Sequence, residues 1–169
     1  SQVGIHGLRV DRNIAQLLRA RRDLRDVRDS STPRAMVTLL KRIDDGSLLQ
    51  PWGRSYLLGL MGRCITGKNR IRGLLPAGTL VQNKTGTLSG YTSDVGFITL
   101  PNGRRVAIAL FARYGSNRPY TIARAARVIY NGFLYAPSMQ RLTSLAPTGW
   151  TTQPARNVVP SPLVQPPSQ

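Results

Sequence analysis

Leu80-Val81-Gln82-Asn83-Lys84, Asp94-Val95-Gly96-Phe97-Ile98-Thr99-Leu100 and Arg105-Val106-Ala107-Ile108-Ala109-Leu110-Phe111 are three short apolar-rich runs set close together. Each has the length and the β-branched or aromatic content of a strand. Pro101-Asn102-Gly103 joins the last two, and a Gly-containing tight turn between alternating runs is a hairpin signal. The first run leads directly into Lys84-Thr85-Gly86-Thr87. The spacing therefore predicts an antiparallel sheet with a Lys-Thr-Gly triplet on the inner end of one strand.

Working outward, the flanks read as helices, which makes the chain α/β. Ser31 or Thr32 is placed to cap a helix with Pro33 at its first position. Met36, Val37, Leu39, Leu40 and Ile43 then recur at helical spacing until Gly46. Pro51 opens a second helix with Tyr56, Leu57, Leu60 and Met61 on one face. Tyr120 to Leu134 is a terminal helix whose apolar side packs on the sheet. Upstream, Leu8, Val10, Ile14, Leu17 and Leu18 fall roughly at helical spacing, and Arg19 to Asp29 reads as a surface excursion. The expected organisation is one folded portion over 1–135. Residues 136–169 form a proline-rich tail too poor in periodic apolar residues to fold.

Three segments share a pattern beyond secondary structure. Arg28-Asp29-Ser30-Ser31-Thr32-Pro33-Arg34-Ala35-Met36 resembles the segment that closes the omega loop of class A β-lactamases and opens the next helix. Thr66-Gly67-Lys68-Asn69-Arg70-Ile71-Arg72-Gly73-Leu74-Leu75-Pro76-Ala77-Gly78 resembles the connector of that family into its Lys-Thr-Gly strand. Lys84-Thr85-Gly86 resembles the triplet itself. The three stand in family order at close to family spacing. The chain thus resembles class A β-lactamases, within the penicillin-recognising serine hydrolases, from about Gly4 to Phe133. The resemblance implies an α/β, β-lactamase/transpeptidase-like antiparallel sheet flanked by helices, incomplete because it corresponds to the C-terminal portion only.

The resemblance also implies roles. Lys84 supports proton transfer and attracts the substrate carboxylate, and Thr85 offers that carboxylate a hydroxyl. Gly86 lets the substrate lie close to the strand, and the Thr87 N–H forms half of an oxyanion hole. Arg70 is the expected carboxylate clamp, a task that suits a planar guanidinium, with Arg118 as the alternative. Asp29 is expected to hold the omega loop closed by pairing with Arg9 or Arg12. Two departures stand out. No serine has a lysine three residues later, and Ser93-Asp94 is followed by Val95, so the family nucleophile and its Ser-Asp-Asn wall are missing. There is also no glutamate, so the family's deacylating base has no counterpart. Offset from Asp29 places that position near Gln16, with Asp11, Asp23 or Asp26 as substitutes.

The expected function is therefore part of a serine hydrolase acting on β-lactams, inactive and poorly soluble by itself. A penicillin-binding D,D-peptidase-like enzyme acting on peptidoglycan stem peptides is the second reading. A non-catalytic basic binding module is the third. The partners implied are a β-lactam or stem peptide and the missing N-terminal half of the fold. The family implies a periplasmic or secreted location. The 169 residues carry 24 Lys+Arg against 7 Asp+Glu, a net charge of +17. The cations are spread along the chain without a nucleic-acid motif, so salt-sensitive adhesion to anionic polymers is expected and specific nucleic-acid recognition is not. Cys64 and His6 are each the single residue of their type. No metal or other cofactor is expected, and Cys64 reads as a small buried thiol. No run has the length of a membrane span.

Overall fold

The computed structural model describes residues 4–20 and 26–135. The expected unfolded tail over 136–169 lies outside the described residues. Three strands form one antiparallel sheet in the order β1 (Val81–Leu88), β2 (Tyr91–Thr99), β3 (Arg105–Arg113). The register pairs Lys84 with Val95, Thr85 with Asp94, Gly86 with Ser93 and Thr87 with Thr92. Both β1 and β2 run further than the apolar pattern indicates. The Lys-Thr-Gly triplet consequently lies inside β1 rather than at its end, and a tight turn at Ser89–Gly90 joins β1 to β2.

Each face of the sheet carries its own core. On one face Val81, Ile98, Val106 and Ile108 pack with Ile71, Ile122, Ala126 and Tyr130. This brings helix α4 (Arg118–Tyr135) and a short 3-10 turn (Ile71–Leu74) against the strands. On the other face Phe97 packs with Leu40, Ile43, Leu58 and Met61, joined by Val95 and Ala107. Leu40, Ile43, Leu58 and Met61 belong to helices α2 (Pro33–Asp44) and α3 (Pro51–Gly62), numbered after a short α1 (Ile14–Arg19). Full burial of such side chains contributes about 1.5–3 kcal/mol each. Asp44 ties the layer together by pairing with Arg54 of α3 and Arg105 of β3.

Thr32 is the cap of α2, its Oγ1 accepting from Ala35 N at 3.1 Å, with Pro33 at the first turn. Helix α4 begins at Arg118, two residues before the sequence reading. The expected helical run from Leu8 is shorter than its spacing suggests. Leu8 instead pairs antiparallel with Ser31, and only Ile14–Arg19 coils, with no buried residue to hold it. Cys64 is half-buried rather than enclosed.

Candidate active site

Alternation along β1 sends Lys84 and Gly86 to the α2–α3 side and Thr85 and Thr87 to the α4 side. Lys84 is exposed, and its Nζ donates to the Thr85 carbonyl oxygen. The Thr85 Oγ1 lies 2.6 Å from Thr66 Oγ1. At Gly86 an added Cβ would fall 2.5 Å from Ser93 Oγ on the neighbouring strand. A side chain at Gly86 would thus require the Ser93 hydroxyl to turn aside, in addition to any close approach of substrate.

Arg70 lies at the entrance to the 3-10 turn and is only 9% exposed. Its Nη1 donates to Gly86 O at 3.0 Å and Ser93 O at 2.8 Å, and its Nη2 to Thr87 Oγ1 at 2.6 Å. Its Nε is buried with no partner among the described residues. In a planar guanidinium Nε–H and one Nη2–H point the same way, the arrangement that grips a carboxylate through two bonds. A Cβ at Gly67 would fall 3.0 Å from Arg70 Cδ and 3.2 Å from Nε, and Gly67 holds φ +65. Gly67 thus packs closely against that side of the guanidinium, where a side chain would collide. Arg118, the alternative clamp, donates to Gly115 O at 2.6 Å and, at 3.4 Å, to Thr92 Oγ1. It therefore closes the turn before α4 and touches β2 at Thr92, whereas Arg70 bonds to both β1 and β2.

A buried polar cluster anchors the turn that follows Arg70, and the sequence reading did not single it out. Asp94 has no exposed surface. Its carboxylate accepts from Asn83 Nδ2 at 2.8 Å and Ile71 N at 3.2 Å. Asn83 Oδ1 accepts from Arg72 Nε at 3.2 Å, and Arg72 Nη2 reaches Val81 O at 2.5 Å. Burial pushes the Asp94 carboxyl up, while the bonds from Asn83 and Ile71 and the nearby Arg70 and Arg72 charges hold it back. The effect is to fasten the 3-10 turn onto β1 and β2 beside the Lys-Thr-Gly stretch.

Asp29, with φ +53, accepts from Asp11 N at 2.7 Å, Arg12 N at 3.0 Å and Arg12 Nε at 2.5 Å. Of the two arginines considered, Arg12 is its partner, while Arg9 pairs with Asp11 at 2.7 Å. Bonds from Arg12 and from the Asp11 and Arg12 amides hold the Asp29 carboxyl below the usual carboxylate range. Arg28 holds Asp26 down to about 2, and Arg9 with the Asp29 amide lowers Asp11. Gln16 forms a capping box with Asn13: its Oε1 accepts from Asn13 N at 3.0 Å and its N donates to Asn13 Oδ1 at 2.9 Å. Asp23 lies outside the described residues. Between this segment and the strands is a cavity of about 560 Å³, bordered by Leu17, Leu18, Thr87, Leu88, Tyr91 and Phe111 among others.

Of the residues that sequence reasoning assembled, the structure gathers Arg70, Gly86 and Thr87 in direct contact, with Lys84 and Thr85 contiguous on the strand. Asp29 stands apart, in the segment across the cavity. Thr66, Asn83 and Asp94 are additions. Among the described residues no group of three or more His, Cys, Asp or Glu side chains could hold a metal. None of the described helices is long and apolar enough to cross a membrane.

Comparison with known proteins agrees with this architecture. The family model described as the beta-lactamase enzyme family matches residues 1–133. The extended-spectrum beta-lactamase PER-1 of Pseudomonas aeruginosa is 32% identical over 119 residues, which take in 64% of this chain and 37% of that protein. The beta-lactamase VEB-1 of Pseudomonas aeruginosa is 40% identical over 91 residues, 48% of this chain and 30% of that protein. The crystal structure of TLA-1 extended-spectrum beta-lactamase superposes with a TM-score of 0.69 at 30% identity, covering 79% of this chain and 51% of that one. A beta-lactamase structure from Desulfarculus baarsii gives 0.69 at 32% identity, covering 80% and 52%. The antiparallel sheet and its helices are thus those of class A β-lactamase structures. The chain spans about half the length of these solved structures and 37% of PER-1.

Proposed function

The chain belongs to the beta-lactamase enzyme family, and from that premise we propose that it supplies the substrate-carboxylate wall of a class A serine hydrolase acting on β-lactams. The observation that carries the reading is Arg70. Its guanidinium is bonded to Gly86, Ser93 and Thr87, and its Nε is buried, without a partner among the described residues, beside the Lys84-Thr85-Gly86 stretch.

In this reading the carboxylate of a β-lactam sits between Arg70 and the Thr85 hydroxyl. The Lys84 ammonium adds a favourable field at the same end of the strand. β1 is an edge strand, so alternate N–H groups face away from β2. The Thr87 N–H is proposed as one oxyanion donor. The sequence holds no Ser-x-x-Lys, so the nucleophile is assigned to a part of the family fold that this sequence does not contain, the complementary N-terminal half. There a serine oxygen would attack the lactam carbonyl, the C–N bond would break and the ring nitrogen would take up a proton. A periplasmic or secreted location belongs to the same reading.

Deacylation is where this chain parts from its family. It has no glutamate. The Gln16 carbonyl oxygen already serves a backbone amide. Asp11 and Asp26 are held by arginines, and carboxyls kept below their ordinary range are weak general bases. Joined to a Ser-x-x-Lys segment, the site is expected to acylate and then to release product about 10²–10⁴-fold more slowly than with general-base assistance. Mass spectrometry of the joined protein after mixing with a penicillin should reveal a persistent covalent adduct. Rapid turnover without a trapped adduct would refute this. The missing glutamate is also what favours the second reading, a penicillin-binding D,D-peptidase-like enzyme on peptidoglycan stem peptides.

A further inference from the structure

We propose that Thr66 is a positioning residue that fixes the direction in which the Thr85 hydroxyl gives its proton. The proposal rests on the reading that Thr85 faces the substrate carboxylate. Thr66 belongs to the loop after α3, and Thr85 lies 19 residues later in β1. Their hydroxyl oxygens are 2.6 Å apart. A hydroxyl has one proton, so only one of the pair can donate across that contact. Behind Thr66 stands Cys64, its Sγ 3.4 Å from Thr66 Oγ1 and 3.8 Å from Thr66 O. The three groups form a short row that ends at the Lys-Thr-Gly strand.

The row has two senses. If Thr85 donates to Thr66, its lone pairs face outward and repel an anion. If Thr66 donates to Thr85, the Thr85 proton is released outward and an anion is attracted. A carboxylate at the outer end selects the second sense, with Cys64 S–H pointing to Thr66, Thr66 O–H to Thr85 and Thr85 O–H to the ligand. Each donor polarises the next. Gly67, the next residue of the loop, stands beside the Thr85 methyl: a Cβ there would fall 2.6 Å from Thr85 Cγ2. The hydroxyl contact and this neighbour come from consecutive residues of one loop, and they favour the rotamer that shows the hydroxyl to the ligand before binding.

The test compares an acid with its neutral analogue. The full chain is titrated calorimetrically with benzylpenicillin and with its methyl ester. Wild type should prefer the acid, and Thr85→Val should lose that preference. Thr66→Val should weaken acid binding about five- to tenfold and leave ester binding unchanged. Thr66→Ser, which keeps the hydroxyl, should restore the acid affinity. General damage to the fold would lower both ligands together, and equal loss for acid and ester in Thr66→Val overturns the proposal. So does an unaltered acid affinity in Thr66→Val alongside a loss in Thr85→Val, or a failure of Thr66→Ser to restore it. Equal binding of acid and ester by wild type would instead overturn the carboxylate reading on which the proposal rests.

Discussion

At the scale of single residues, the site depends on donors that are only partly used. Arg70 spends three N–H groups on Gly86, Ser93 and Thr87, and its Nε has no partner among the described residues. In a protein that joins this chain to a nucleophile, Arg70→Ala should cost about 1.5–3 kcal/mol, roughly tenfold to a hundredfold in acylation efficiency. Arg70→Lys should not rescue it, because a point charge cannot reach two carbonyls and a hydroxyl and still face a carboxylate through two bonds. Unchanged acylation in Arg70→Ala with a loss in Arg118→Ala would reassign the clamp. Gly86 answers to a different neighbour. Its missing Cβ leaves room for Ser93 Oγ, so Gly86→Ala should destabilise the fold by about 1–3 kcal/mol. Adding Ser93→Ala should recover most of that. Denaturant unfolding of the single and double variants checks it, and equal loss in both would show that the crowding lies elsewhere.

Elements are held to one another by buried or paired carboxylates, and these respond to pH in opposite directions. Asp94 has its carboxyl raised by burial, so between its ordinary value of 3.8 and its folded value the native state holds more protons than the unfolded one. Stability should fall as pH rises from 3.8 through that window, and Asp94→Asn should remove that slope in denaturant unfolding. Asp11, Asp26 and Asp29 are lowered, Asp26 to about 2. Their contribution is complete above the ordinary value of 3.8 and is lost as pH falls toward 2. Amide protection at Asp11 and Arg12 should therefore be lost on acidification before protection in the sheet is. Simultaneous release of both would mean that the arginine pairs do not hold this segment separately. The same elements divide into legible and illegible parts. Alternation exposes the cores of β1, β2 and β3, and Thr32-Pro33 marks the start of α2. The polar end of β1 shows no such pattern, because Thr85 to Leu88 are placed by pairing with Tyr91 to Asp94. Thr66 carries no local signal either, since its partner is far along the chain. Arg70 was legible only because its motif resembles a known connector.

For the whole molecule, charge and completeness matter most. Between Gly46 and Tyr135 the only acid is Asp94, and it is buried. That region presents cations without exposed carboxylates, so the chain should adhere to an anionic resin and elute steeply with salt. Retention insensitive to salt would mean that the exposed apolar residues, Trp52, Tyr56 and Ile65 among them, cause the adhesion. Lacking a Ser-x-x-Lys, the chain alone should not turn over a chromogenic cephalosporin. Turnover abolished by Lys84→Ala would place a nucleophile within these 169 residues. Whether this chain carries the carboxylate wall is read most directly from a nuclear magnetic resonance titration of the full chain with benzylpenicillin and with its methyl ester. The acid should shift the amides of Lys84 to Thr87 and the Arg70 Nε–H, and the ester should shift them less. Shifts confined to other parts of the chain, or equal shifts from acid and ester, would contradict the carboxylate-wall reading.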